Sequence, residues 1–400
     1  MKTKQLLAKL QNANLQSQGL NRLKAFGKGK KAVLETVEHL GYVQIDTLAV
    51  VTRAHHHTLW TRVPDYQNDY LHQLVEDRKV FEYWFHAASY LPMRDFRYAL
   101  PRMSQFKRGE ARYYKNVPQE SIKYVYDKIR IDGPQKNRDF KSESNKLGSW
   151  WNWKPTKMAL EKLFMQGDLM ISGRDKMEKI YELTERVLPE GVDTSEPDPM
   201  ELAEYLVRTY LRAYGFTTIK QITHLKTGQE IRNNVKQVLQ GMLEEKTIQQ
   251  IDIDDLPTIY AQNDLLDSSR RRSDAKVRLL SPFDNAIIHR DRVKQIYNYD
   301  YRLESYIPKP KREFGYFCLP ILFKGKFVGR VDCKAHRKNG QFELINLYIE
   351  DDELDLEIFM QPFVETILRF ANFNGCQSIN VSKVHPFGYT EQFQKALSDI

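Results

Sequence analysis

Apolar positions in the first forty residues recur with a helical period. Leu6, Leu7, Leu10 and Leu15 form one stripe, and Val33, Leu34, Val37 and Leu40 form another. This pattern predicts two helices between Lys4 and Leu40, separated near Gly27 and Gly29. Gly41 ends the second, and Tyr42-Val43-Gln44-Ile45-Asp46 then has the composition of a strand. The two-residue period of a strand would set Gln44 and Asp46 on one face and Val43 and Ile45 on the other. Beyond it, Tyr70 to Glu76 reads as a helix, and Val80 to His86 and Ala88 to Leu91 as two extended stretches.

The order helix, charged corner, strand, turn, strand returns twice. Lys157 to Met165 is followed by Leu169 to Arg174 and Met177 to Leu183; Val235 to Leu243 is followed by Thr247 to Ile251 and Thr258 to Tyr260. The repetition predicts three tandem winged helices. From Val277 onward the pattern changes. Tyr316 to Phe323, Phe327 to Asp332 and Phe342 to Tyr348 are apolar-rich extended runs separated by turns at Lys324-Gly325-Lys326 and Lys338-Asn339-Gly340, which predicts a meander of hairpins. A helix from Leu354 to Asn374 and a strand from Ser378 to Ser382 follow. The expected class is therefore α+β: three winged-helix copies and a C-terminal β-rich, barrel-like domain with a covering helix. The expected limits are 1–101 for the first copy, 102–188 for a basic linker with the second, 197–262 for the third and 277–400 for the β-rich domain. Pro189 to Pro199 marks a boundary between copies.

Charge adds a partner to this picture. The chain carries 61 Lys+Arg against 52 Asp+Glu, a net +9, which suits a polyanion. Arg102 to Lys141 is the most basic segment, with eleven Lys/Arg against five acids, and is a candidate phosphate-contact surface. Asn263 to Lys276, containing Arg270-Arg271-Arg272, reads as a mobile basic loop. Cys318, Cys333 and Cys376 are odd in number and widely spaced, which argues for a reducing compartment and against a disulfide framework or zinc-thiolate site. The N-terminal stretch lacks the apolar core of a signal peptide, and no run is long enough to span a membrane. The expected location is the cytoplasm, on the nucleoid when DNA is bound, and the expected state is a monomer. Walker and Gly-x-Ser-x-Gly patterns are both absent, which disfavours nucleotide-driven work and that class of serine hydrolase.

Chemistry concentrates behind the first predicted strand. After Gln44 and Asp46 come His55, His56, His57, Trp60 and Arg62. A carboxylate beside an amide can accept a proton from water and place negative charge near a developing cation. Both residues could equally be ordinary polar residues at a strand end. The histidine run invites a metal, but no companion ligands at recognisable spacing accompany it, so no metal or other cofactor is expected. DNA contact and plain loop positions remain for these three. Arg62, Arg94, Arg97, Arg102, Lys107 and Arg108 are further candidates for DNA phosphates. Arg62, Arg94 and Arg97 could instead pair with Asp65, Asp95 or Glu82.

The string Gly41-Tyr42-Val43-Gln44-Ile45-Asp46-Thr47, then Arg53 to Arg62, Tyr83-Trp84, His86-Ala87-Ala88 and Tyr90 to Asp95, closely resembles the YcaQ group of winged-helix DNA glycosylases, relatives of the AlkZ crosslink glycosylase. Ser281-Pro282-Phe283-Asp284-Asn285 and Gly329-Arg330-Val331-Asp332 extend the likeness. The resemblance implies a monofunctional glycosylase that excises alkylated purines from double-stranded DNA and unhooks interstrand crosslinks, leaving abasic sites. It also implies the catalytic motif Gln-x-Asp, present here as Gln44 and Asp46, where the AlkZ branch has Gln-x-Gln. The alternative is a winged-helix transcription regulator without catalysis. That reading needs base-reading side chains along a recognition helix, and Lys157 to Met165 has few.

Overall fold

The computed structural model describes residues 3–140, 153–226, 228–268 and 273–398. Arg270, Arg271, Arg272 and Lys141 lie outside the described residues. In chain order the strands are β1 (Val43–Gln44), β2 (Val80–Trp84), β3 (Ala88–Pro92), β4 (Gln135–Lys136), β5 (Leu169–Asp175), β6 (Glu178–Leu183), β7 (Phe216–Thr217), β8 (Ile248–Ile251) and β9 (Ile259–Gln262). After them come β10 (Arg278–Leu279), β11 (Cys318–Phe323), β12 (Lys326–His336), β13 (Gln341–Ile349), β14 (Ser378–Val381) and β15 (Val384–His385). The N-terminal helices are α1 (Thr3–Ser17), α2 (Gly29–Leu40) and α3 (Ala54–Arg62). The chain forms two compact units: Met1–Tyr66 with Leu206–Ile400, and Gln67–Tyr205.

In the unit Gln67–Tyr205, helix Asn68–Glu76 leads into the antiparallel hairpin β2–β3, and helix Trp153–Gln166 leads into the antiparallel hairpin β5–β6. Short β4 adds to the second hairpin, giving the order β4-β6-β5. The two hairpins are tied by a buried ion pair. Glu82 of β2 accepts from Arg174 of β5 at 2.5 and 2.6 Å, and the two side chains are 3% and 8% exposed. Tyr83 Oη donates to the Met165 carbonyl at 2.6 Å, which fixes β2 on the helix before β5.

In the other unit, helix Gln229–Glu244 precedes hairpin β8–β9, and β7 extends it in the order β7-β9-β8. Each helix expected before a hairpin is present with wider bounds than the periodicity gave. The C-terminal part is a six-stranded sheet, β10-β11-β12-β13-β14, with β15 also paired to β13. Register shifts at Ile321/Leu322 and at Asp332/Cys333 bend its long antiparallel strands, as bulges do, and the sheet curls into a half-barrel. Helix Leu356–Phe373 buries Phe359, Phe363, Ile367 and Phe370. Its first N–H groups are capped by Asp355, which accepts from Glu357 and Ile358. All three cysteines are buried and free. The string Gly329 to Asp332 is explained by this sheet. Arg330 donates to Glu350 at 2.5 and 2.8 Å, and Asp332 accepts from the backbone of Tyr316 and Phe317, anchoring the start of β11.

Candidate active site

The segment from Leu40 to Arg62 lies within one unit and is held at both ends. Helix α2 turns Ala32, Val33, Thr36, Val37 and Leu40 inward. Gly41 then stops it with φ 79°, its N–H donating to the Val37 carbonyl at 2.9 Å. A Cβ on Gly41 would lie 2.3 Å from Thr209 Cγ2, so both backbone conformation and space demand glycine here. Tyr42 is 1% exposed, with its hydroxyl 3.2 Å from that of Tyr214. Its carbonyl accepts from Asn285 Nδ2 at 3.1 Å.

Only Val43 and Gln44 are strand. The expectation of a strand running to Asp46 is therefore corrected, and alternation alone does not bring Gln44 and Asp46 to one face. Gln44 sits in β1 at 9% exposure, and Asp46 follows in the loop beyond it, half-buried. Asp46 Oδ1 accepts from the Leu48 N–H at 2.7 Å, an Asx turn that fixes the carboxylate on its own backbone. Oδ2 accepts no hydrogen bond among the described residues. Burial pushes the carboxyl above the ordinary aspartate range, against the opposing pull of the Leu48 hydrogen bond. The loop is fastened farther on. The Val50 carbonyl accepts from Ala335 N–H at 3.0 Å, and the Ala49 carbonyl from Arg337 Nη1 at 3.2 Å. A basic carboxylate with one bound and one open oxygen thus sits on a loop moored to the half-barrel.

The three histidines are not in a loop. They occupy the first half of α3, all nine of whose residues are buried, and His55, His56 and His57 are 2%, 7% and 1% exposed. His57 Nε2 is 3.0 Å from the Leu279 carbonyl, and its ring centre lies 4.6 Å from that of Phe370. His56 Nδ1 is 2.7 Å from Tyr66 Oη. Trp60 packs on Phe370 and Phe373 at 4.9 and 5.9 Å. These residues dock α3 onto helix Leu356–Phe373, and their burial leaves no surface for DNA. The periodicity missed this helix because six of its nine residues are polar by type and yet buried.

Burial pushes His57 down to about 4. The unfolded chain binds a proton near pH 6.5 and the fold resists it, so stability is full above that pH and is lost as pH falls toward 4. The difference of roughly 2.5 pH units is worth up to about 3 kcal/mol. The urea midpoint should therefore fall between pH 7 and pH 4.5. His57→Gln should flatten that fall while lowering the midpoint at pH 7; an unchanged pH profile in a folded variant would show that another group sets it.

Arg62 is also inside. Its side chain and that of Asp284 are both 0% exposed, and Nη1 and Nη2 meet the Asp284 carboxylate at 2.7 and 2.8 Å. Its remaining donors reach the Gln18 carbonyl, Gln18 Oε1 and the Thr58 carbonyl. Arg62 is thus a bidentate structural pair, correcting the phosphate expectation. The other candidates belong to the unit Gln67–Tyr205. Arg97 is 17% exposed and donates to Glu201 at 3.0 Å and to the Ser195 carbonyl at 3.0 Å. Arg102 lies 5.2 Å over the ring of Trp84, itself 39% exposed. Arg94, Lys107 and Arg108 are 54%, 54% and 56% exposed, near Asp95, Asp168 and Glu110 respectively. Such exposed pairs hold weakly in water and yield to a phosphate.

Two residues that complete the core of the site carry no chemical signal in sequence. Asp284 receives Arg62, and Asn285 holds the backbone leading into β1. Their string Ser281 to Asn285 stands out in the resemblance, but nothing in the sequence places it against Leu40 to Arg62.

Residues 37–373 match the family described as DNA glycosylase AlkZ-like. The chain belongs to the AlkZ-like DNA glycosylases. Among solved structures, the DNA glycosylase AlkZ of Streptomyces sahachiroi is similar with a TM-score of 0.61, covering 94% of this chain and 98% of that one at 14% identity. At that identity the likeness shows the fold, mixed α/β with a half-barrel sheet. Family membership makes this AlkZ-like chain a DNA-repair hydrolase acting on DNA, and the regulator alternative falls with it. Among the described residues no helix is long and apolar enough to cross a membrane.

Proposed function

We propose that this AlkZ-like enzyme hydrolyses the N-glycosidic bond of alkylated purines in duplex DNA and unhooks interstrand crosslinks, leaving abasic sites, with Asp46 and Gln44 as the catalytic pair. The observation that carries the reading is the Asp46 carboxylate: half-buried, raised in basicity by its surroundings, tethered through one oxygen and open at the other. Asp46 takes a proton from water as that water adds to the anomeric carbon, and its charge stabilises the oxocarbenium-like sugar. Gln44 orients the same water or the sugar by hydrogen bonds. A purine alkylated on a ring nitrogen is already cationic and departs neutral, so no strong acid is required.

The DNA would lie along three winged helices. Support comes from the helix-and-hairpin unit at Asn68–Pro92, Trp153–Leu183 and Gln229–Gln262, with a third short strand at the same place in the order of the last two sheets. Arg94, Arg102, Lys107 and Arg108 remain the phosphate contacts of this reading, which describes a monomer working on one duplex without a metal or other cofactor.

The test is incubation with a duplex containing 7-methylguanine, followed by alkaline treatment and analysis of the freed base. Strand scission only after alkali, with free 7-methylguanine, is the expected result. Binding without base release, or a break formed before alkali together with a borohydride-trapped adduct, would contradict it. The same assay on a nitrogen-mustard crosslinked duplex reports unhooking.

A further inference from the structure

The unit that carries Gln44 and Asp46 also contains a cleft of about 470 Å³, lined by Thr218, Lys220, Gln221, His224, Arg290 and Arg292 among others. Two of its arginines are held only by neutral acceptors. Arg292 is 2% exposed; Nη1 donates to the Phe216 carbonyl at 2.9 Å and to Gln221 Oε1 at 3.1 Å, and Nη2 to the Tyr214 carbonyl at 3.2 Å. Its guanidinium lies 4.0 Å over the Phe216 ring, and Nε has no hydrogen-bond partner among the described residues. Arg290 donates to the carbonyls of Ile287 and Pro282 at 2.6 and 2.9 Å and covers Tyr301. Buried guanidinium groups ordinarily face a carboxylate, because uncompensated charge in the interior is costly. Burial lowers both, Arg292 to about 10, which leaves them charged at neutral pH.

The mouth of the cleft adds to this charge. Lys220 is 74% exposed, and its acidic partner among the described residues, Asp291, is 69% exposed at 2.5 Å, a pair that water weakens. His224 is pushed down first by burial and then by Lys220, Lys226 and Arg290, so the positive potential reaches its ring. Against Lys220, Arg290 and Arg292 the lining offers one acid, Asp291.

We propose that this cleft seats a phosphate of the DNA strand, as a contact made by residues separate from the Gln44 and Asp46 pair. The inference rests on the chain's acting on DNA, whereas a free phosphate ion would use the same groups. A phosphodiester offers two anionic oxygens to the cationic wall and mouth, supplying the negative charge that the neutral acceptors of Arg290 and Arg292 do not, and displacing Asp291 from Lys220 frees a third cation for it.

The test is duplex binding by fluorescence anisotropy across a salt series, using undamaged duplex and the full chain carrying Lys220→Ser with His224→Ala. Both residues lie outside the catalytic pair. The double variant should bind about tenfold more weakly near 0.1 M salt, with the slope of log affinity against log salt reduced by about 1. Its single-turnover base release at saturating protein should match the wild type. Arg290→Met should give the same loss of slope, and if that variant fails to fold the double variant decides alone. Unchanged affinity and slope in the double variant would overturn the proposal. Calorimetric titration with inorganic phosphate separates the sources. Phosphate binding that is lost in the double variant while duplex binding stays at the wild-type level identifies a small-anion site and overturns the DNA contact. Failure of base release by the wild type would overturn the catalytic reading and leave the salt slopes standing.

Discussion

Arg62→Met should cost about 3–5 kcal/mol of folding stability, because it leaves the Asp284 carboxylate charged and without its partner in the interior. Asp284 would retain only its cap on Ala286 N–H at 2.9 Å, and the Gln18 and Thr58 acceptors would lose their donor as well. Against a total of about 5–15 kcal/mol for an ordinary domain, that loss is large. The thermal midpoint should fall steeply, and the variant should accumulate as unfolded or aggregated chain. Arg62→Met combined with Asp284→Leu should recover part of the loss, since both charges then leave the interior together. A well-folded Arg62→Met protein, with stability within about 1 kcal/mol of wild type and a shallower salt dependence of DNA binding, would return Arg62 to the DNA surface.

That pair also marks where the sequence stopped being readable. Periodicity located α1, α2 and the helices before all three hairpins, and apolar runs bounded by turns located the longer half-barrel strands β11 to β14, while the two-residue strands β10 and β15 are too short to leave a pattern. Periodicity failed at α3, where His55, His56, His57, Thr58, Thr61 and Arg62 are polar yet buried. His57, Thr61 and Arg62 find their partners on distant parts of the chain, at Leu279, Phe370 and Asp284, and no local pattern encodes such a partner. It failed again at β1, which ends at Gln44, with the Asp46 carboxylate held by Leu48 N–H in the loop beyond it. The choice of Gln44 and Asp46 as candidates depends on neither element. Gln44 and Asp46 were picked out by residue chemistry and by the longer string around them, neither of which depends on strand length. The phosphate candidates fared unevenly, since an arginine's exposure is decided by tertiary partners: Arg62 is sealed, while Arg94, Lys107 and Arg108 face solvent.

Asp46→Asn should abolish most catalysis while sparing both fold and DNA affinity. The amide keeps the size of the side chain and can still accept from Leu48 N–H, but it loses the charge beside the sugar and the basicity toward water. General base catalysis contributes about a hundred- to ten-thousandfold, which sets the expected fall in rate. Stability should move the other way. Burial raises the folded carboxyl above its unfolded value, so its stabilising share is present only at low pH and is lost as pH rises through the folded value. Removing the charge at neutral pH should therefore leave the thermal midpoint unchanged or higher. Gln44→Ala, which impairs positioning and leaves the base in place, should give a smaller but clear loss. The wild-type rate should climb with pH through a limb above the ordinary aspartate range, and Asp46→Asn should lack that limb. The direct measurement is single-turnover release of 7-methylguanine from a duplex by wild type and Asp46→Asn, with affinity for the same duplex measured alongside. The account predicts a rate lower by about a hundredfold or more at near-equal affinity; a folded Asp46→Asn enzyme that releases the base at close to the wild-type rate would contradict it.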